Sequence, residues 1–175
     1  TYNGNGGSTP NPSSVTRDYG TKITLPTSNR TGHTFLGWST SNTAASATYA
    51  GNSQYTIGAS NVTLYAVWRI NQYKITYNGN GGSTPNPSSV TKNYGTQITL
   101  PSSSRTGYTF LGWSTNSSAT SAQYAGGLNY TIPDYNVTLY AIWSIQSYYL
   151  DVNGLLDGNS SGGINGYGTF NIVVY

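Results

Sequence analysis

The sequence predicts a mainly β protein built from tandem small modules, with little or no helix. Three observations carry that prediction. Residues 1–70 return as 76–145 at a constant offset of 75, and about 50 of the 70 paired positions are identical. Short alternating runs of β-prone residues are punctuated throughout by Gly, Pro and Asn turn signals. Nowhere does an apolar period of 3.6 residues persist for three turns, as a long helix would require.

The second copy displays the elements in order. Tyr73-Lys74-Ile75-Thr76-Tyr77 alternates as a strand and stops at Asn78-Gly79-Asn80-Gly81-Gly82, which reads as a hairpin turn. A phosphate loop would need a later Gly-Lys-Ser/Thr, and a dinucleotide site a following helix; this turn has neither. Pro85 and Pro87 hold an extended, non-helical stretch. Gln97-Ile98-Thr99-Leu100 is a short strand closed by Pro101. Tyr108-Thr109-Phe110-Leu111-Gly112-Trp113 is another, entered through Thr106-Gly107. Residues 116–122 are small and polar and read as a loop, with room for one helical turn. Residues 129–132 and 137–143 supply the last two strands. In the final one, Leu139, Ala141 and Trp143 share a face while Tyr140 and Ile142 occupy the other. Bulk on both faces predicts a central strand.

A module of about 70 residues buries only a modest share of its surface, so its core must be dense in large side chains. The chain has 17 Tyr, 4 Trp and 3 Phe to supply them. The expected core is Ile98, Leu100, Phe110, Trp113 and Trp143 in the second copy. In the first it is Ile23, Leu25, Phe35, Trp38 and Trp68. The chain accordingly divides into module 1 at 1–70 with a truncated first strand, module 2 at 71–145, and a divergent third β unit or tail at 146–175. The junction between the modules contains neither Pro nor Gly, which predicts a semi-rigid rod. Tyr148-Tyr149-Leu150-Asp151-Val152-Asn153-Gly154 repeats the pattern of 73–79, and residues 169–175 read as a closing strand.

Charge is scarce: seven basic and four acidic residues give +3, and Glu is absent. The basic residues never cluster, which argues against nucleic acid. Without Cys there is neither disulfide nor thiol chemistry, and a surface of Ser, Thr, Asn, Gly and Tyr suits an exported protein. No apolar run approaches the roughly 20 residues that span a bilayer, so no membrane insertion is expected. The chain opens on Thr1 instead of Met, as a processed product or a fragment would.

Candidate chemistry is thin. His33 is the single His, and the acids nearest to completing a triad, Asp18 and Asp134, do not recur between the copies. No catalytic residue and no cofactor are expected. Asp157, Asn159 and Ser161 echo the opening of a calcium loop, but Gly168 stands where the pattern wants a bidentate Glu. A Gly-rich turn is the default there. Lys22 lacks the neighbouring buried acid that an isopeptide bond needs. Several Asn-x-Ser/Thr triplets occur, as chance allows in such a composition. With the Trp residues assigned to cores, Tyr49, Tyr55, Tyr124, Tyr130 and Tyr135 remain as a platform for stacking sugars.

The spacing Tyr73–Gly82, Tyr94-Gly95, Pro101, Gly107–Trp113 and Thr138–Trp143 resembles the Listeria–Bacteroides repeat, the family that includes the B repeat of internalin B. Copy one matches from Thr1 onward, so the resemblance covers roughly 145 residues. It departs at His33, where copy two has Tyr108, and in the missing residues before Thr1. The resemblance implies small β-grasp-like modules in exported bacterial proteins, or in phage proteins that contact bacteria, acting as stalks or contact modules without catalytic residues. The expected function is a non-enzymatic stalk or adhesion module at a bacterial cell surface. Its partners would be neighbouring domains, copies of itself through edge strands, or surface glycans and proteins. One alternative is a filament subunit in which residues 170–175 complete the truncated first strand of the next copy. The other is a carbohydrate- or receptor-binding module, including one on a phage tail appendage.

Overall fold

A computed structural model describes residues 1–147, and the third-unit, calcium-loop and terminal-strand expectations lie outside them. Eleven strands and no helix occur among the described residues: β1 Tyr2–Asn3, β2 Lys22–Thr24, β3 His33–Ser39, β4 Gln54–Thr56, β5 Leu64–Ile70, β6 Gln72–Asn78, β7 Ser89–Asn93, β8 Gln97–Thr99, β9 Tyr108–Ser114, β10 Asn129–Thr131 and β11 Val137–Ile145. The mainly β, tandem architecture is the one the sequence predicts. Thr1–Ile145 form one compact unit.

In the second module the main sheet runs β7-β6-β11-β9, with β8 and β10 forming a separate antiparallel pair. β11 is central, parallel to β6 and antiparallel to β9, as bulk on both its faces requires. The first module repeats this without a counterpart of β7, as β1-β5-β3 with the pair β2-β4. Each register is preserved at the offset of 75: Tyr2 faces Leu64 as Tyr77 faces Leu139.

The core lies between each main sheet and its small pair. Trp38 and Trp113 are fully buried, as are Leu25 and Leu100. Ile23, Phe35 and Trp68, with Ile98, Phe110 and Trp143, pack against them half-buried. Rings stack in chains: Tyr77 to Trp113 at 5.4 Å, Trp113 to Phe110 at 5.4 Å, and Phe110 to Trp143 at 5.4 Å. Their module 1 counterparts, Tyr2, Trp38, Phe35 and Trp68, lie within 0.2 Å of the same spacings. Buried indole N–H groups need partners. Trp113 donates to the Pro101 carbonyl at 2.7 Å, and Trp143 to that of Gly79 at 3.0 Å.

Two sequence readings change in form. The Asn-Gly-Asn-Gly-Gly segment makes a turn, with Gly82 N–H donating to the Gly79 carbonyl at 2.8 Å. It opens a longer loop before β7 instead of closing a tight hairpin. Asn80 at φ 46° anchors that loop by donating from Nδ2 to the Ser117 and Ala141 carbonyls, 2.9 and 3.0 Å away. The extended stretch after Pro87 becomes β7, a strand the sequence reading did not separate, because β6 offers it a free edge.

Candidate functional site

Among the described residues no three His, Asp or Glu side chains gather to hold a metal. His33 opens β3, half-buried, with Nδ1 2.9 Å from the Thr31 carbonyl. Asp18, Asp134 and Lys22 are exposed. The tyrosines expected to form a sugar platform are largely occupied in packing. Tyr49 meets Tyr55 edge-on at 5.1 Å, and Tyr124 meets Tyr130 at 5.0 Å. Tyr135, 60% exposed, is the exception. The half-buried tryptophans instead wall two equivalent shallow clefts. One gathers Arg30, His33, Phe35 and Trp68, the other Arg105, Tyr108, Phe110 and Trp143. In the second, the Arg105 guanidinium lies 3.7 Å over the Tyr108 ring, a cation–π contact that spends both groups on each other.

The most constructed feature is the joint between the modules. Only Asn71 separates β5 from β6. Its side chain accepts from Thr34 Oγ1 at 2.5 Å and donates to the Tyr73 hydroxyl at 3.3 Å. Its backbone N–H donates to the Gly32 carbonyl, and its carbonyl accepts from Tyr94 N–H, each at 2.9 Å. Tyr94 lies on Gly32 and meets His33 edge-on at 6.3 Å. A Cβ on Gly32 would stand 2.1 Å from that ring. Glycine is required here twice over, by φ +68° and by the ring. Sequence reasoning missed this contact because Tyr94 and Gly32 are distant in the chain. The one available hint was the His33/Tyr108 difference at the same edge.

A second feature is an open slot in module 1 of about 660 Å³, lined by Val15, Ile23, Tyr55, Ile57 and Val62 among others. In module 2 the corresponding space holds Ile75, fully buried, between Val137 and Val90.

The Listeria–Bacteroides repeat domain profile matches residues 1–67 and again 73–142. The chain belongs to the Listeria–Bacteroides repeat family. Two relatives come from Evansella cellulosilytica. One, named "Putative membrane protein", is 35% identical over 155 residues, covering 87% of this chain and 22% of its own length. The other, named "Putative Gly-rich membrane protein", is 35% identical over 127 residues, covering 68% of this chain and 15% of its own. The chain therefore spans about a fifth or less of these relatives. Among the described residues no helix is long and apolar enough to cross a membrane.

In these Listeria–Bacteroides repeats the tyrosine packing predicts an alkaline limit to stability. Burial, and then the nearby Tyr124 and Tyr135 phenolates, push the Tyr130 phenol up from 10.0 to about 12. Burial also raises Tyr77 and Tyr2. The folded state thus holds these protons more tightly than the unfolded one, so the stabilisation is complete below pH 10. It is lost as pH rises through 10 toward 12. In a circular-dichroism titration, module 2 is expected to lose structure in that window, and Tyr130→Phe to move the loss to higher pH. Identical curves for both proteins would remove Tyr130 as the cause.

Proposed function

We infer that these repeats form a non-enzymatic, semi-rigid spacer within a larger envelope-associated bacterial protein, holding contact surfaces away from the cell. The observation that carries this reading is the joint. A one-residue connector, a tyrosine seated on a glycine and hydrogen bonds converging on Asn71 restrain two near-identical modules. Independent binding heads on a flexible tether would not need such a joint, whereas a spacer does. Family membership and the membrane-protein names of the relatives support a place at the envelope. The exposed Ser, Thr, Asn and Tyr surface, with few charges, suits contact with glycans or proteins outside the cell.

A matched pair of substitutions tests it. Gly32 and Gly107 occupy equivalent positions with φ +68° and +76°, but among the described residues nothing lies within 4 Å of a Cβ at Gly107. Both alanine variants carry the left-handed backbone cost of about 1–2 kcal/mol. Only Gly32→Ala also evicts Tyr94. By ¹⁵N relaxation the wild-type modules and Gly107→Ala are expected to tumble with one common correlation time, and Gly32→Ala with two. Independent tumbling of the wild-type modules would sink the spacer reading.

A further inference from the structure

The two equivalent clefts differ at one wall, and the difference sets their arginines to different uses. In module 2 the Arg105 guanidinium lies 3.7 Å over the Tyr108 ring. In module 1 His33 takes the place of Tyr108 and turns to the joint, with Nδ1 2.9 Å from the Thr31 carbonyl and its ring edge-on to Tyr94 at 6.3 Å. Arg30 lines a cleft of about 370 Å³, its guanidinium laid against the bare backbone of Gly6, 3.2 Å from where a Cβ would stand. Among the described residues no hydrogen bond, ion pair or ring engages that guanidinium. The wall beside it is aromatic and fixed. Trp68 meets Phe35 at 5.3 Å, donates from its indole to the Gly4 carbonyl at 3.0 Å, and packs on Gly7, where a Cβ would collide with its ring.

We propose that the module 1 cleft binds a uronic-acid residue of an anionic glycan, with Arg30 holding the carboxylate and Trp68 and Phe35 taking the apolar face of the sugar ring. A guanidinium presents its N–H donors in one plane, and that fork matches a carboxylate with two parallel hydrogen bonds. Packing against Gly6 fixes the plane in advance, so less side-chain freedom is lost on binding. The C–H face of a pyranose is apolar and covers aromatic carbon well, while its hydroxyls need polar partners at the rim. Asn29 and Thr31, both exposed, line the same cleft and supply a carboxamide and a hydroxyl. Charge favours the same ligand. No Asp or Glu lines the cleft, and the two acids among the described residues, Asp18 and Asp134, stand outside it. A polyphosphate or nucleic-acid strand would call for several basic groups in a row; one arginine suits one carboxylate beside a ring. The site goes beyond the spacer reading and does not depend on how rigid the joint is.

The test is a ¹⁵N chemical-shift titration of the full chain with two uronates of different stereochemistry, a galacturonate trisaccharide and a hyaluronan tetrasaccharide. At least one is expected to shift the backbone amides of Asn29, Arg30 and Thr31 and the Trp68 indole N–H saturably. The methyl ester of the galacturonate trisaccharide keeps the rings and removes the charge, and sodium acetate keeps the charge and removes the rings. Where the galacturonate binds, its ester is expected to bind about tenfold more weakly or worse, the worth of a charge-assisted hydrogen bond; acetate is expected to leave the Trp68 indole unmoved. Arg30→Gln should weaken binding to the same degree, and Arg105→Gln should leave it unchanged. The ester comparison uses the unaltered chain, so it does not depend on how a variant folds. Neither uronate shifting these signals, the ester binding as well as the acid, acetate reproducing the shifts, or Arg30→Gln binding like wild type would each overturn the proposal. The spacer reading stands or falls separately, on the tumbling of the two modules within one chain.

Discussion

Trp113→Ala is expected to unfold the second module. The side chain is fully buried, contacts the rings of Tyr77 and Phe110 at 5.4 Å, and donates from its indole to the Pro101 carbonyl. Its backbone also bridges to Tyr124, exchanging hydrogen bonds of 2.7 and 3.0 Å that close the loop before β10. Truncating a buried Trp costs about 3–5 kcal/mol. A module of this size has about 4–10 kcal/mol of total stability at ordinary values per residue. The loss therefore takes most of what is available. At about 4–8 °C per kcal/mol for a domain of this size, the melting transition of module 2 should fall by roughly 12–40 °C, with loss of its near-ultraviolet circular dichroism. Module 1 should keep its own transition, since its core is built from Trp38, Tyr2 and Phe35. A variant melting within about 5 °C of wild type, on that same scale, would show that Trp113 does not organise the core. Trp143→Ala should cost less, because its ring is half-exposed at the cleft wall.

The second large effect is expected from Gly112→Ala. Gly112 lies opposite Ile142, where the β11–β9 register shifts, and holds φ +134°. A Cβ there would stand 2.4 Å from the Tyr124 carbonyl oxygen and 2.8 Å from the Ala122 side chain. Backbone is the obstacle, so no rotamer change relieves the clash. A left-handed conformation for a residue with a Cβ costs about 1–3 kcal/mol, and forced overpacking adds about 1–3 kcal/mol. Gly127→Ala is the control. It shares a positive φ of 78° but has nothing within 4 Å among the described residues, and should cost only about 1–2 kcal/mol. Urea unfolding midpoints measure the difference. Equal midpoints would mean that the bulge accommodates a methyl group. Gly37→Ala should repeat the large effect in module 1, where the corresponding carbonyl is that of Tyr49 at 2.3 Å.

Both predictions rest on positions that are legible in the sequence as residue types but not as geometry. Phe110-Leu111-Gly112-Trp113 reads as a strand with an apolar face, and β9 contains it. That its glycine absorbs a register shift appears only when β11 and the Tyr124 loop are in place. The candidate site was less legible still. Aromatic content suggested exposed tyrosine platforms, yet Tyr49, Tyr55, Tyr124 and Tyr130 form edge-on pairs. Composition counts the rings, but only the fold decides which faces remain available. The joint was legible only as a short connector; its tyrosine and its glycine are brought together by strand pairing over long range.

The repeat makes the division of labour unusually clear, because the same residues occur twice. Turns, the strands β2 to β5 against β8 to β11, and the large core side chains recur at the offset of 75, as do Asn5 and Asn80 at φ 46°. These the sequence determined by itself, since backbone preference and side-chain volume act within a few residues. Ser13-Ser14-Val15-Thr16 and Ser88-Ser89-Val90-Thr91 are the same tetrapeptide, yet β7 begins at Ser89 while residues 13–16 form no strand. The difference is the partner: β6 lies beside Ser89 and Val90, and in module 1 the corresponding slot is open. Gly32 against Gly107 and Tyr94 against Tyr19 diverge for the same reason. A strand needs an edge to bond to, and burial needs a neighbour, so pairing and contact were left to the tertiary structure.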